Sequence, residues 1–115
     1  MNANEKVTNL DYLVELSKGN KTFVEEMVTI FLTENPEELR MLETAIQEKD
    51  YARMKASAHK MKSTIPFVGL DRLLEKDLSD IEMLSLNQTD LARIKELFTH
   101  VKTICLKASE ELATV

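Results

Sequence analysis

His59 stands among cations. Residues 51–70 hold Arg53, Lys55, Lys60 and Lys62 and no Asp or Glu, a local charge of +4 in a chain whose net charge is −5, so the remainder carries −9. An imidazole is the side chain suited to nucleophilic or proton-transfer work near neutral pH. On a helix, residues three apart have Cβ atoms about 5–6 Å from each other, so the ammonium of Lys62 is expected close to the ring of His59. A neighbouring cation disfavours a second positive charge on the ring and leaves a neutral nitrogen as nucleophile; the same ammonium suits phosphoryl oxygens arriving there. Lys60 points about 100° round the helix and is placed for the acidic surface of a partner.

Other chemistry finds less support. His100 has no Cys at ligand spacing and reads as a solvated surface histidine, so no metal site is expected. Cys105 is the one cysteine; it falls on an apolar helical stripe and reads as a buried structural thiol, and no intrachain disulfide is possible. No Ser/His/Asp or Cys/His constellation and no Gly-rich phosphate loop is recognisable. A net charge of −5 argues against general nucleic-acid binding, because phosphate neutralisation needs a broad basic surface. Nothing resembles a signal peptide, and no window approaches the roughly 18 apolar residues of a membrane span. The chain is therefore expected to be cytoplasmic.

These side chains need a scaffold, and the apolar spacing is helical throughout. With 115 residues, two Gly, two Pro and no Trp, the sequence predicts one helical domain over 1–115, with residues 1–6 frayed. Leu10, Leu13, Val14 and Leu16 predict a short first helix closed at Gly19-Asn20, where Asn20 caps the next. Phe23, Met27, Ile30 and Phe31 mark the inner face of a second helix, ended or kinked at Asn35-Pro36. Leu39, Leu42, Ala45 and Ile46 continue the stripe from there. Asp50 is the expected N-cap of the histidine helix, whose Met54, Ala58, Met61, Ile65 and Val68 keep the 4-3-4-3 spacing of a buried seam. That seam turns Lys55, His59, Lys62, Ser63 and Pro66 outward.

Pro66 removes a helical N–H and is expected to bend or end the helix, and Gly69 suits a tight helix end. Leu70, Leu73, Leu74, Leu78, Ile81 and Leu84 face inward on the next helix, with Asp71 in its first turn and a polar turn over Ser85–Thr89. Leu91, Ile94, Phe98, Val101, Cys105, Ala108 and Leu112 mark a long final helix. The expected fold is all-α: an antiparallel up-and-down four-helix bundle with one or two short N-terminal helices packed over one end.

Ala58-His59-Lys60-Met61-Lys62-Ser63, followed by Val68-Gly69-Leu70, resembles the signature of histidine-containing phosphotransfer (HPt) domains, in which Ala-His-x-Leu-Lys-Gly precedes a hydrophobic-Gly pair. The resemblance spans roughly residues 9 to 110. It implies that His59 is the phosphoacceptor and that Lys62 stabilises phosphoryl charge. Lys55, Lys60, Ser63, Pro66 and Phe67 then contact the partner, and Gly69 is structural beside the site. It further implies a phosphocarrier and not an enzyme: phosphoryl arrives from a receiver-domain aspartate and leaves to another. The chain itself binds no cofactor, and the partner receiver holds Mg²⁺. The partners implied are response-regulator receivers and a hybrid sensor histidine kinase, with the chain a monomer. Met61 replaces the usual Leu at little cost. Ser63 replaces Gly, and its hydroxyl either reaches a phosphoryl oxygen or bonds back to its own helix. That replacement keeps an alternative open: a non-phosphorylated HPt-like adaptor docking on a receiver or kinase domain. A dimerisation and phosphoacceptor domain of a histidine kinase fits less well, because Lys60 stands where that family has an acidic residue.

Overall fold

Asn20 and Asp50 set two of the helix starts as their side-chain chemistry predicts: Asn20 accepts from the N–H of Phe23 and Asp50 from that of Arg53. In the computed structural model, which describes residues 5–113, α1 runs Asp11–Ser17, α2 Lys21–Gln47, α3 Tyr51–Thr64, α4 Asp71–Leu86 and α5 Leu91–Ala113. A 3₁₀ turn, Ile65–Val68, joins α3 to α4. Helix ends are closed by left-handed residues, Lys18 after α1 and Gly69 after the 3₁₀ turn.

The helices α2, α3, α4 and α5 pack as a ring, each on its neighbours in chain order and α5 back on α2. Short turns make successive helices antiparallel, so this is the up-and-down bundle expected. Its core holds Met54, Ala58, Met61, Ile65 and Val68, all without exposed surface, and the α5 stripe from Ile94 to Leu112, to which Leu97 and Ile104 are added. Cys105 lies in this core, and burial pushes its thiol up to about 11. Among the described residues no helix is long and apolar enough to cross a membrane.

Three expectations need correction. Asn35-Pro36 does not end the second helix: α2 is one helix of 27 residues with Pro36 inside it, so a single short helix, α1, covers the bundle end. Interior proline costs about 3 kcal/mol. Phe31, Leu39 and Leu42 stay in phase on either side and are buried, each contributing about 1.5–3 kcal/mol, which offsets it. Val14, Leu16 and Ile30 point outward, about half exposed; α1 touches only α2 and the 3₁₀ turn, so Leu13 is its one buried residue. Ser85, expected in a turn, is buried in the last turn of α4.

Of the arm expected to fray at 1–6, residues 1–4 lie outside the described residues. From Val7 onward the chain is tied down. The Glu111 carboxylate accepts from the N–H groups of Val7 and Thr8 and from the Thr8 hydroxyl, and Arg72 donates to the Val7 carbonyl.

Candidate functional site

Because the α3 seam is fully buried, the rotation of the histidine helix is fixed and His59 stands out from it with its side chain 76% exposed. Lys55, one turn back, and Lys60 are exposed as well. Ser63 is exposed, but its hydroxyl donates to the carbonyl of Lys60 at 2.6 Å, the second of its two expected roles. α3 ends at Thr64, and Pro66 is the second residue of the 3₁₀ turn, so the missing N–H ends the helix in the way expected.

Gly69 is needed for two independent reasons. Its φ of +76° is left-handed, and a Cβ there would meet the backbone oxygen of Asn9 at 2.5 Å. The N–H of Asn9 donates to the Val68 carbonyl beside it, so the N-terminal segment is laid directly across the turn. Phe67 is half-buried and not presented beside the imidazole: its ring lies 6.2 Å from that of Tyr12 and packs on the core.

The carboxylate of Glu82, on α4, is the residue that the sequence reading missed. Its Oε2 lies 3.2 Å from Nδ1 of His59 and its Oε1 lies 3.0 Å from Nζ of Lys62, the latter an ion-pair contact. Lys62 is thereby drawn down against α4, with 28% of its side chain exposed. The sequence-based picture of an imidazole kept neutral by Lys62 alone is corrected accordingly. Although α3 carries no carboxylate beyond its cap, α4 supplies one, and the ammonium sits on that carboxylate. Burial raises the Glu82 carboxyl, but the contacts from Lys62 and His59 pull it below its ordinary value, so it is an acceptor near neutral pH.

This geometry selects a tautomer. A ring nitrogen facing a carboxylate carries the hydrogen, so Nδ1–H donates to Glu82, and Nε2 of the neutral ring keeps its lone pair on the solvent side. A carboxylate-oriented imidazole with an exposed Nε2 is a nucleophile with one reactive atom. Among the described residues, no group of three or more His, Cys, Asp and Glu is placed to hold a metal ion.

His100, expected to be merely solvated, also has a carboxylate partner: its Nδ1 pairs with Oδ2 of Asp77 across α4 and α5. Both histidine–carboxylate pairs are 23 residues apart. One is centred on Leu70–Asp71 and the other on Gln88–Thr89, the turns between the paired helices, as the register of an antiparallel helix pair requires.

The sequence profile of the Hpt domain matches residues 26–104, which include His59, Lys62 and Glu82. No curated protein matches the chain in sequence. Among solved structures, the chain is similar to the crystal structure of the HPT domain from a sensor hybrid histidine kinase of Shewanella. The TM-score is 0.70 and the identity 20%, over 95% of this chain and 96% of that one. At that identity the likeness is one of fold.

Proposed function

The chain belongs to the Hpt domain family, and on that premise we propose that it is a phosphorelay intermediate carrying its phosphoryl group on Nε2 of His59. The observation that carries this reading is the contact of His59 Nδ1 with Glu82, which leaves Nε2 outward on an exposed ring. In the forward step the Nε2 lone pair attacks the phosphorus of a receiver aspartyl phosphate. The Nε2–P bond forms as the P–O bond to the aspartate breaks, and the aspartate leaves as a carboxylate. The ring then carries a positive charge with its Nδ1–H held on Glu82, and the reverse step delivers the group to a second receiver aspartate.

Lys62 has three N–H donors, and its contact with one Glu82 oxygen leaves others for phosphoryl oxygens. Lys55 and Lys60 are exposed beside the site and face the acidic pocket of a receiver, giving complementary fields and modest steering. Pro66, partly exposed, forms the apolar flank of that contact. Ser63 contributes an acceptor oxygen and small size, since its proton is given to Lys60. Mg²⁺ belongs to the receiver, which supplies the phosphoryl-activating groups, and the chain works as a carrier in the cytoplasm.

Incubation with a phosphorylated cognate receiver tests the assignment. One acid-labile, alkali-stable phosphoryl group is expected on the chain, and none on His59→Gln, whose helical content should be unchanged. Labelling that persists in His59→Gln removes His59 from the role. Receiver binding with no transfer at any concentration would establish the adaptor alternative.

A further inference from the structure

Between α2 and the end of α3 lies a cavity of about 170 Å³ lined by Met27, Ile30, Phe31, Glu34, Asn35, Glu38, Thr64 and Phe67. Its walls are apolar, yet its lining is short of donors. Asn35 and Glu38 are 1% and 5% exposed, and Asn35 Oδ1 and Glu38 Oε2 have no hydrogen-bond partner. One N–H of the Asn35 amide goes to Cys105 Sγ at 3.6 Å. The single proton of the Thr64 hydroxyl faces two acceptors, Glu38 Oε1 at 3.3 Å and the Met61 carbonyl at 3.2 Å.

Charge is unbalanced in the same sense. Glu34 and Glu38 are four apart on one helix face, a like-charge spacing that destabilises a helix, and no Lys or Arg lines the cavity. Lys60 acts on Glu38 only through space. Buried acceptors without donors are costly; these two oxygens are sealed from solvent on residues that line the cavity, and Ile30 at its edge is about half exposed.

We propose that this cavity takes the head of an alkylammonium or alkylguanidinium group, its apolar stem against Ile30 and Phe67 and its N–H donors on Glu38 and Asn35. Such a cation supplies both the missing donors and the missing positive charge, and the ring of Phe31 or Phe67 adds a favourable face. The proposal is independent of phosphoryl chemistry at His59.

The test is a titration of the ¹⁵N-labelled chain with n-butylammonium, n-butanol as neutral isostere, and N-acetyl-arginine amide. Saturable shifts at Phe31, Thr64 and Phe67 are expected from at least one of the two cations, and binding about tenfold weaker from butanol. In Glu38→Gln, which keeps the shape and removes the charge, cation binding should fall about tenfold. Should that variant fail to fold, the rim variant Glu34→Gln is expected to weaken binding severalfold. Tighter binding of the arginine amide supports a side chain of a docking protein as occupant, and tighter binding of butylammonium supports a free amine. Equal affinity for butanol, unchanged cation binding in the variant that folds, or no saturable shift from either cation would overturn the proposal.

Discussion

Nδ1 of His59 and Oε2 of Glu82 lie 3.2 Å apart although the residues belong to different helices. The contact does for the imidazole what no neighbour on α3 does: it fixes where the ring hydrogen resides and therefore which nitrogen reacts. Glu82→Gln keeps the size of the side chain and removes the charged acceptor. We expect phosphoryl transfer to His59 to fall roughly 10- to 100-fold, the scale associated with losing the orientation of a reacting group. A merely structural role would leave the ring tautomer unchanged. The check is therefore paired: transfer rate, and the ¹⁵N shifts of the His59 ring, which should show loss of the dominant Nδ1–H form. A normal rate with an altered tautomer would separate Glu82 from the reaction.

Lys62 presents a different case, because its ammonium is already engaged by Glu82 at 3.0 Å. Lys62→Ala is expected to slow transfer about tenfold by removing a charge-assisted donor to the phosphoryl oxygens. Stability should fall by about 1–2 kcal/mol, since the pair is partly buried, with side chains 28% and 18% exposed, and the variant leaves Glu82 without its ion-pair partner. Lys62→Arg should restore part of the rate. Stopped-flow transfer and denaturant unfolding on the same variants distinguish the two effects, and an unchanged rate in Lys62→Ala would leave Lys62 as a structural partner of Glu82 only.

Much of this site was legible in the sequence for a simple reason. The seam Met54, Ala58, Met61, Ile65 and Val68 has one spacing and is wholly buried, so the direction of His59 follows from helical geometry. Asn20, Asp50 and Gly69 were readable because each acts through its own local chemistry. Glu82 was not, because it requires the register between two helices. That register was nonetheless implicit: an antiparallel pair turning at Leu70–Asp71 sets position 82 opposite 59, and one turning at Gln88–Thr89 sets 77 opposite 100. The helix end expected as one alternative at Pro36 has another origin. Local propensity favours a break there, but tertiary burial of the stripe on both sides outweighs it. Val14 and Leu16 show the reverse limit, since helical spacing marks an apolar face without saying whether anything covers it.

Gly69 and Gly19 offer a controlled comparison. Both are left-handed, with φ of +76° and +82°, but an added Cβ at Gly19 meets nothing within 4 Å, whereas at Gly69 it meets the Asn9 backbone oxygen at 2.5 Å. Gly19→Ala should cost about 1–2 kcal/mol, the conformational term alone. Gly69→Ala adds displacement of the N-terminal segment and is expected to cost about 2–4 kcal/mol. Urea unfolding of the two variants gives the difference. Equal costs would mean that Asn9 moves aside freely and that the segment is not held by this turn.

Glu38 sets the expected dependence of stability on pH. Burial, followed by the smaller influence of Glu34, raises its carboxyl above the ordinary value against the opposing Thr64 hydrogen bond and Lys60 charge. A carboxyl raised by folding binds its proton more tightly in the folded state, so its favourable contribution is complete below the unfolded value and is lost as pH rises through the folded one. Above that folded value the chain holds an ionised, partly unpaired carboxylate in its core. Glu38→Gln should be more stable than the parent there by about 1–3 kcal/mol, the usual cost of an unsatisfied buried polar group. The advantage should shrink as pH falls and Glu38 takes up its proton. Glu82 and Glu111 run the other way. Burial raises each, but their hydrogen bonds lower them on balance, so their contributions hold above the unfolded value and fade as pH falls through the folded one. Urea midpoints measured from neutral to acid pH for the parent and Glu38→Gln should thus converge on the acid side while both decline. Parallel curves, with a constant offset, would show that Glu38 does not titrate differently on folding.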